Sequence, residues 1–278
     1  VMFYLLREKC SGLLPVYGKE KPEWLRACLD SIFRQNDRPD EVVIMEDGPL
    51  TAELDAVVDE FAERYHEVKV VALPKNGGLG PALNEGLKHC SYDLVARMDA
   101  DDICKPNRFE RELLMFEQDS DLDVCCSWIE EFKDSTDNVV NVRRLPERHE
   151  ELYEFGKKRN PVNHPSCMFR KKAVIENGNY VEFQLFEDYY LWSRMMVNGC
   201  KFYCIQESLL LFRYSRNLIK RRGGLIYAWT EFKFQRKLHE IGYINRSTFL
   251  RNVLIRAITR LVPCDLRVQI YKRIRKMK

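Results

Sequence analysis

The sequence predicts an α/β fold, a single mainly parallel central sheet flanked by helices, followed by a basic helical C-terminal extension. Three observations carry this expectation. Short apolar runs alternate with helix-period segments through the first half, prolines and glycine-rich turns punctuate them, and the charge balance reverses near residue 215. Strand–helix alternation of this kind builds a parallel sheet with helices on both faces. Ligands of such sheets bind beyond the carboxyl ends of the strands.

The elements follow in order. "GLLPVY" reads as the first strand, and "PEWLRACLDSIFRQ" sets Leu25, Cys28, Leu29, Ile32 and Phe33 on one helical stripe. "EVVIM" is the second strand, and the next helix starts at about Thr51 with Leu54, Val57, Val58 and Phe61 facing one way. "VKVVAL", a short helix from Pro81, and "DLVARM" complete the alternation. Pro22, Pro81 and Pro106 stand where a first-turn proline is tolerated. From "DVCCSWIEEF" at 123 the pattern is less regular, although "EDYYLWSRMMVNG" reads as a helix closed by Gly199.

Composition narrows the function classes. At 278 residues, 45% hydrophobic and 31% charged, the chain can bury a sizeable core, which excludes general disorder. No apolar run is long enough to cross a bilayer, and "VMFYLL" is followed by "REK" without a small-residue cleavage site, so a cytoplasmic protein is expected. Ten scattered cysteines without a C-x-x-C pair read as reduced and structural. Residues 216–278 hold 17 Lys+Arg against 3 Asp+Glu, whereas residues 1–215 hold 28 against 39. The two parts therefore face different partners.

Four loops carry chemistry. "RMDADDICKPNR" places Asp99, Asp101 and Asp102 within four positions at the end of an apolar strand. Two unit charges 4 Å apart repel by about 4 kcal/mol at an effective dielectric of 20, so the cluster wants a counter-charge. In an extended segment, residues i and i+2 point the same way. Asp99 and Asp101 can then converge as hard oxygen ligands for Mn²⁺ or Mg²⁺; the alternative is an acidic helix-capping loop before Pro106. "PKNGGLGPALNEG" offers backbone N–H groups and close approach to a ligand, or is a plain loop. "EDGPLT" puts Glu46 and Asp47 at a strand end, either to accept from a base or ribose or as a turn. "FEDYYLW" sets Glu187 and Asp188 at a helix start among aromatics. Desolvation there suits a general base, while simple capping lowers a carboxylate's pKa, and the residues leave both open.

"LLPVYG", "PDEVVIMEDG", the glycine loop with "ALNEGL", "RMDADDICKPNRFE", "NHPSCMFRK" and "FEDYYLW" occur in an order that resembles the family 2 glycosyltransferases, nucleotide-sugar-dependent enzymes with a GT-A fold. The likeness runs from about residue 11 to 214 and is strongest to the bacterial capsule and exopolysaccharide branch, of the amylovoran and colanic acid type. It implies a catalytic domain over 11–214 and a basic region over 215–278, and leaves 1–10 as a leader whose odd "VMFYLLREK" is either non-native or mis-called. Asp99 and Asp101 match the D-x-D that holds the metal, with Asp102 adjoining. Asp47 matches the residue that contacts uracil, and Pro15, Val16 and Tyr17 match the loop lining the nucleoside. Glu20, Asn76, Gly78, Asn84, Arg97 and Ala100 fall with them on the donor side. Asp188, with Glu187 beside it, matches the inverting catalytic base. His164 matches a donor-phosphate contact and Trp192 an acceptor contact; a buried histidine and a core tryptophan are the alternatives.

The implied reaction is inverting, metal-dependent transfer of one sugar from a nucleoside-diphosphate sugar, UDP being favoured by Asp47, to a glycan or polyprenyl-diphosphate-linked acceptor in surface polysaccharide synthesis. No Q-x-x-R-W follows the second acidic pair, which favours single addition. A non-catalytic sugar-nucleotide or lipid-binding adaptor retaining the fold is the alternative. In the tail, Leu250, Leu254, Ile258 and Leu261, and then Leu266, Ile270, Ile274 and Met277, recur at helical spacing among Arg and Lys. Such helices lie on anionic membrane surfaces, here the inner face of the plasma membrane, or pack their apolar stripe on the catalytic domain. No nucleic-acid partner is expected.

Overall fold

The computed structural model describes residues 7–183, 185–214 and 224–261. β1 (Cys10–Val16), β2 (Glu41–Glu46), β3 (Val68–Ala72) and β4 (Leu94–Arg97) alternate with α1 (Pro22–Phe33), α2 (Ala52–Arg64) and α3 (Leu79–His89). They pair in parallel in the order β3-β2-β1-β4. β3 is the edge strand, which explains why most of its "VKVVA" is not buried.

The rest of the sheet is mixed. β5 (Ile103–Cys104), α4 (Arg108–Gln118), β6 (Leu122–Lys133) and β7 (Ser135–Arg143) are followed by α5 (His149–Gly156), β8 (Met168–Arg170), α6 (Lys171–Glu176), α7 (Glu187–Val197) and β9 (Lys201–Arg213). β8 runs antiparallel between β4 and β6, β9 is parallel to β6, and β5 and β7 pair antiparallel with β9 and β6. The sheet is thus single, all parallel through its first four strands and mixed beyond them, where β6–β9 is the parallel pair. Apolar runs do not encode strand direction, and the three residues of β8 are too few to show a period.

Local chemistry sets the helix ends. Pro22 opens α1, and the Thr51 hydroxyl accepts from the Leu54 N–H at 3.4 Å to cap α2. Pro81 lies in the first turn of α3, but Pro106 lies two residues before α4, outside the helix expected to contain it. Gly199 follows α7 with φ +86°, the left-handed conformation expected at C′. Two cores cover the sheet. One packs α1, α2 and α4 through Leu25, Leu29, Phe61, Phe109 and Phe116; the other packs α3, α5, α6 and α7 around Leu83, Leu152, Val174 and Trp192. Each such large side chain contributes about 1.5–3 kcal/mol on burial.

At the N-terminus, Arg7 pairs with Asp37 and Asp40 at 2.8 and 2.9 Å, and Glu8 with Arg170 at 3.1 Å. The nine described cysteines are free, and eight are buried. At the other end, α8 (Leu225–Glu240) and α9 (Arg246–Leu261) pack on one another and on the second core. α9 turns its apolar stripe outward, away from the packed alternative. Leu250, Leu254 and Ile258 are 57–64% exposed, while Asn252 and Arg260 are buried. The apolar stripe therefore does not pack on the described part of the catalytic domain. The second stripe, Leu266 to Met277, lies outside the described residues. No described helix is long and apolar enough to cross a membrane.

Candidate active site

The parallel register brings the ends of β1, β2 and β4 to one edge of the sheet. Val16 stands opposite Glu46, and Leu13 opposite Arg97. Half-buried Pro15 and Tyr17 and buried Val16 line the first of these ends, and the Glu20 N–H turns back onto the Tyr17 carbonyl at 3.0 Å.

At the second end, the geometry gives Asp47 a task that the sequence does not show. Its Oδ1 accepts from the Gly77 N–H at 2.6 Å and its Oδ2 from the Gly78 N–H at 3.0 Å. Its carbonyl accepts from Asn76 Nδ2 at 3.0 Å. The "EDG" and "NGG" loops are thus one unit, with Asp47 as the staple. Gly48, at φ +83°, admits this approach, because a side chain there would overlap the backbone of Lys75 and Asn76.

Beyond β4, carboxylate oxygens of Asp99, Asp101 and Asp102 lie within 4.8 Å of one another. Arg97, buried beneath them, ion-pairs with Asp99. Asp102 is fully buried: one oxygen accepts from the Arg213 backbone N–H at 2.8 Å, and the other has no partner among the described residues. Burial, then Asp101 and Asp99, push its carboxyl well above the usual range. Burial and then Asp99 lift Asp101 to about 6, and burial with Asp101 and Asp99 lifts Glu20 to about 7. Ala100 is buried between the acids. An orphaned buried oxygen among three mutually repelling hard ligands fits a divalent cation. Arg97 pairs with Asp99, and Arg97 and Arg213 offset part of the charge on the other two, but burial and mutual repulsion still prevail at Asp101 and Asp102.

A second cluster adjoins the first. His164 Nε2 meets the Tyr180 hydroxyl at 2.9 Å, and burial, then Arg97, hold the imidazole well below its usual pKa, so it is neutral. Burial also pushes the Tyr180 phenol well up, and Asp188 and Asp99 both add to the shift. Tyr180 thus feels both the D-x-D and the second acidic pair. Asn84 holds its backbone, donating to the Tyr180 carbonyl at 2.7 Å and accepting its N–H at 2.9 Å; Asn84 is a brace for this loop. Asp188 accepts from Asn160 Nδ2 at 2.6 Å. Glu187 packs at the start of α3, where a Cβ on Gly80 would stand 3.6 Å from its Cγ, and burial raises its pKa. Trp192 is fully buried against His164, Tyr180 and Phe202. The acceptor contact expected of it is replaced by a core role, because none of its surface reaches solvent.

A model described as glycosyl transferase family 2 matches residues 11–178. The chain belongs to glycosyltransferase family 2. This glycosyltransferase is 40% identical over 266 residues to an Escherichia coli protein named UDP-Gal:alpha-D-GlcNAc-diphosphoundecaprenol beta-1,3-galactosyltransferase, covering 96% of each chain. It is 36% identical over 269 residues to the amylovoran biosynthesis glycosyltransferase AmsE of Erwinia amylovora, covering 96% of this chain and 99% of that one. Two solved structures share its GT-A fold. S. aureus TarS 1-349 in complex with UDP-GlcNAc has a TM-score of 0.65 at 16% identity, with 91% of this chain and 72% of that chain covered. The mannosyltransferase PcManGT from Pyrobaculum calidifontis, in complex with GDP-Man and Mn²⁺, has a TM-score of 0.64 at 15% identity, with 91% and 70% covered.

Four features of this glycosyltransferase's site escape sequence reasoning. Tyr180 lies in an irregular stretch with no motif. Arg213, whose Nε also donates to the Asp101 carbonyl at 3.0 Å, comes from more than a hundred residues away. Asn160 is equally remote from any acidic motif. The buried Arg108–Glu112 pair, 3.0 Å apart, also went unread, although its i,i+4 spacing inside "NRFERE" is a signal that could have found it, and Arg108 Nη2 also donates to the Arg97 carbonyl at 2.9 Å.

Proposed function

We propose that this glycosyltransferase transfers one sugar, with inversion, from a UDP-sugar to a hydroxyl of a polyprenyl-diphosphate-linked glycan in surface polysaccharide synthesis. The observation that supports the reading is the convergence of Asp99, Asp101 and Asp102 beyond β4, with carboxylate oxygens within 4.8 Å of one another. The printed names of the E. coli relative and of the TarS complex support a UDP-sugar donor, and the former supports a lipid-linked acceptor.

Asp99 and Asp101 are the residues that would hold Mn²⁺ or Mg²⁺, with Asp102 behind them. A divalent ion there supplies a Lewis acid that offsets charge on the departing diphosphate. Asp188 takes the proton of the acceptor hydroxyl as that oxygen attacks the anomeric carbon, and Asn160 keeps one of its carboxylate oxygens engaged meanwhile. The Asp47 staple shapes the glycine loop that borders the donor.

A membrane-surface location suits such an acceptor. α9 buries polar residues and exposes Leu250, Leu254 and Ile258; α8 exposes Leu225, Ile226 and Trp229. The region that contains both helices is strongly basic. Each Lys or Arg near an anionic surface contributes about 1 kcal/mol. Cosedimentation with anionic vesicles is expected for the full chain and is expected to fall when Trp229 and Leu254 are both replaced by Ser; unchanged binding would remove this face from the interaction.

The enzyme reading is tested by UDP release from UDP-sugars on addition of a polyprenyl-diphosphate-linked sugar. Asp188→Asn is expected to lower turnover by roughly 10²- to 10⁴-fold while retaining donor binding. Wild-type turnover in that variant would remove Asp188 from the role. Donor binding without any UDP release from the wild-type chain would favour the adaptor.

A further inference from the structure

The C-terminal helix pair does more than expose an apolar face. Its inner side grips the end of α5 and the segment that follows, through backbone carbonyls in nearly consecutive positions. Tyr243, just beyond α8, donates to the Tyr153 carbonyl at 3.0 Å. Asn252 Nδ2 donates to the Lys157 carbonyl at 2.8 Å and to Gln235 Oε1 at 2.9 Å. Arg256 reaches the Lys158 carbonyl and also pairs with Glu231. From α7, the Tyr189 hydroxyl donates to the Gly156 carbonyl.

The grip is itself anchored. Glu231 is buried between Arg256 and Arg260, the latter at 2.6 Å; burial works to raise its pKa, yet the two guanidinium groups hold it below its usual value. Gly156 completes the fit, since a Cβ there would overlap the Tyr243 hydroxyl. Removing one partner of a buried pair of this kind leaves an uncompensated charge, so the two helices stay locked to one another.

The gripped segment leads directly to Asn160. Asn160 Oδ1 accepts from the Val162 N–H at 3.3 Å, which turns Nδ2 toward Asp188 Oδ2 at 2.6 Å. The amide orientation is therefore set by the backbone, and the backbone is set by α8 and α9. A donor held in this way fixes the rotamer of the carboxylate it meets, and misplacement by about 1 Å of a group that reacts costs about 10²-fold in rate.

We propose that Asn160 is a positioning residue for Asp188 and that helices α8 and α9 hold it in place by gripping the carbonyls of residues 157 and 158. The inference rests on the reading of Asp188 as the base. It makes the C-terminal region part of the machinery for proton removal, in addition to any role at a membrane.

The test compares full-length variants in UDP release, with donor KM measured beside kcat. Asn160→Ala is expected to lower kcat by about 10²-fold with donor KM and melting temperature unchanged. Asn160→Asp, nearly isosteric, places a second carboxylate beside Asp188, which already interacts with Glu187, Tyr180 and Tyr189. It is expected to lower kcat further and to move the acid limb of the kcat/KM profile to higher pH, which loss of packing alone would not do. Asn252→Ala is expected to reproduce the kcat effect of Asn160→Ala in smaller degree, again without a change in donor KM.

Wild-type kcat in Asn160→Ala, alongside an inactive Asp188→Asn, would overturn the positioning role and leave the base intact. Parallel loss of kcat, donor affinity and melting temperature in Asn160→Ala would also overturn it, as a structural effect. Wild-type kcat in Asn252→Ala would overturn the part assigned to the helices. A fully active Asp188→Asn would instead remove the base reading itself.

Discussion

The two acidic corners of this site are built in opposite ways. The Asp99–Asp102 corner is local in sequence and crowded: three carboxylates in four positions, with Glu20 added from the β1–α1 loop, faced by Arg97 and Arg213. The Asp188 corner is assembled from distant segments and well provided. Asn160 donates to it, and α8 and α9 support Asn160. A corner left short of positive charge is prepared to take a cation. A corner with a held donor is prepared to keep one carboxylate in one orientation.

The contrast is broken most strongly by neutralising one acid on each side. Asp101→Asn is expected to abolish both donor-dependent stabilisation and UDP release, whereas Asp188→Asn loses release alone. If both variants lose donor binding equally, the division between corners fails.

The next effect is on stability. Arg108 and Glu112 form a fully buried pair under the first corner, and burial lifts the Glu112 carboxyl to about 7 even against Arg108. Glu112→Leu strands the Arg108 charge and is expected to cost about 3–5 kcal/mol in chemical denaturation, with Arg108→Met in the same chain recovering much of it. A single variant within 1 kcal/mol, roughly a surface-level effect, would show that the pair does not support the strand end.

The smallest effect is a pH dependence. A carboxyl whose pKa is raised on folding binds its proton more readily in the folded chain, so its contribution favours folding at low pH and is lost as pH rises through the folded value. Glu20, lifted from about 4.5 to about 7, places that window between those limits. Glu20→Gln is therefore expected to raise the melting temperature of the metal-free protein at pH 8 and to leave it unchanged near pH 4. A gain that is equal at both pH values would trace to packing and not to charge.

These differences also mark what the sequence can show. The first four strands and their helices were legible, because each is a run of apolar residues closed by a proline, a cap or a glycine. The acids at 99–102 and at 187–188 stand out in the sequence because each group is compressed into a few residues. β8 was not, being three residues long and paired antiparallel inside an otherwise regular pattern. Asn160, Tyr180 and Arg213 were not, because each acquires its meaning only from a partner 28 to 111 positions away or from the ring that it meets. The α9 stripe was read correctly as a stripe. Its direction was not legible, since periodicity gives a helix two faces without saying which one is covered.

The most direct test is thermal unfolding of the full chain with a UDP-sugar, in Mn²⁺ and in chelator, for wild type and Asp101→Asn. A ligand at a hundred times its Kd stabilises the folded form by about 2.7 kcal/mol, a readily measured shift. A cation held by Asp99 and Asp101 requires that the shift appear for wild type in Mn²⁺ and vanish in chelator and in Asp101→Asn. An equal shift in chelator would contradict it.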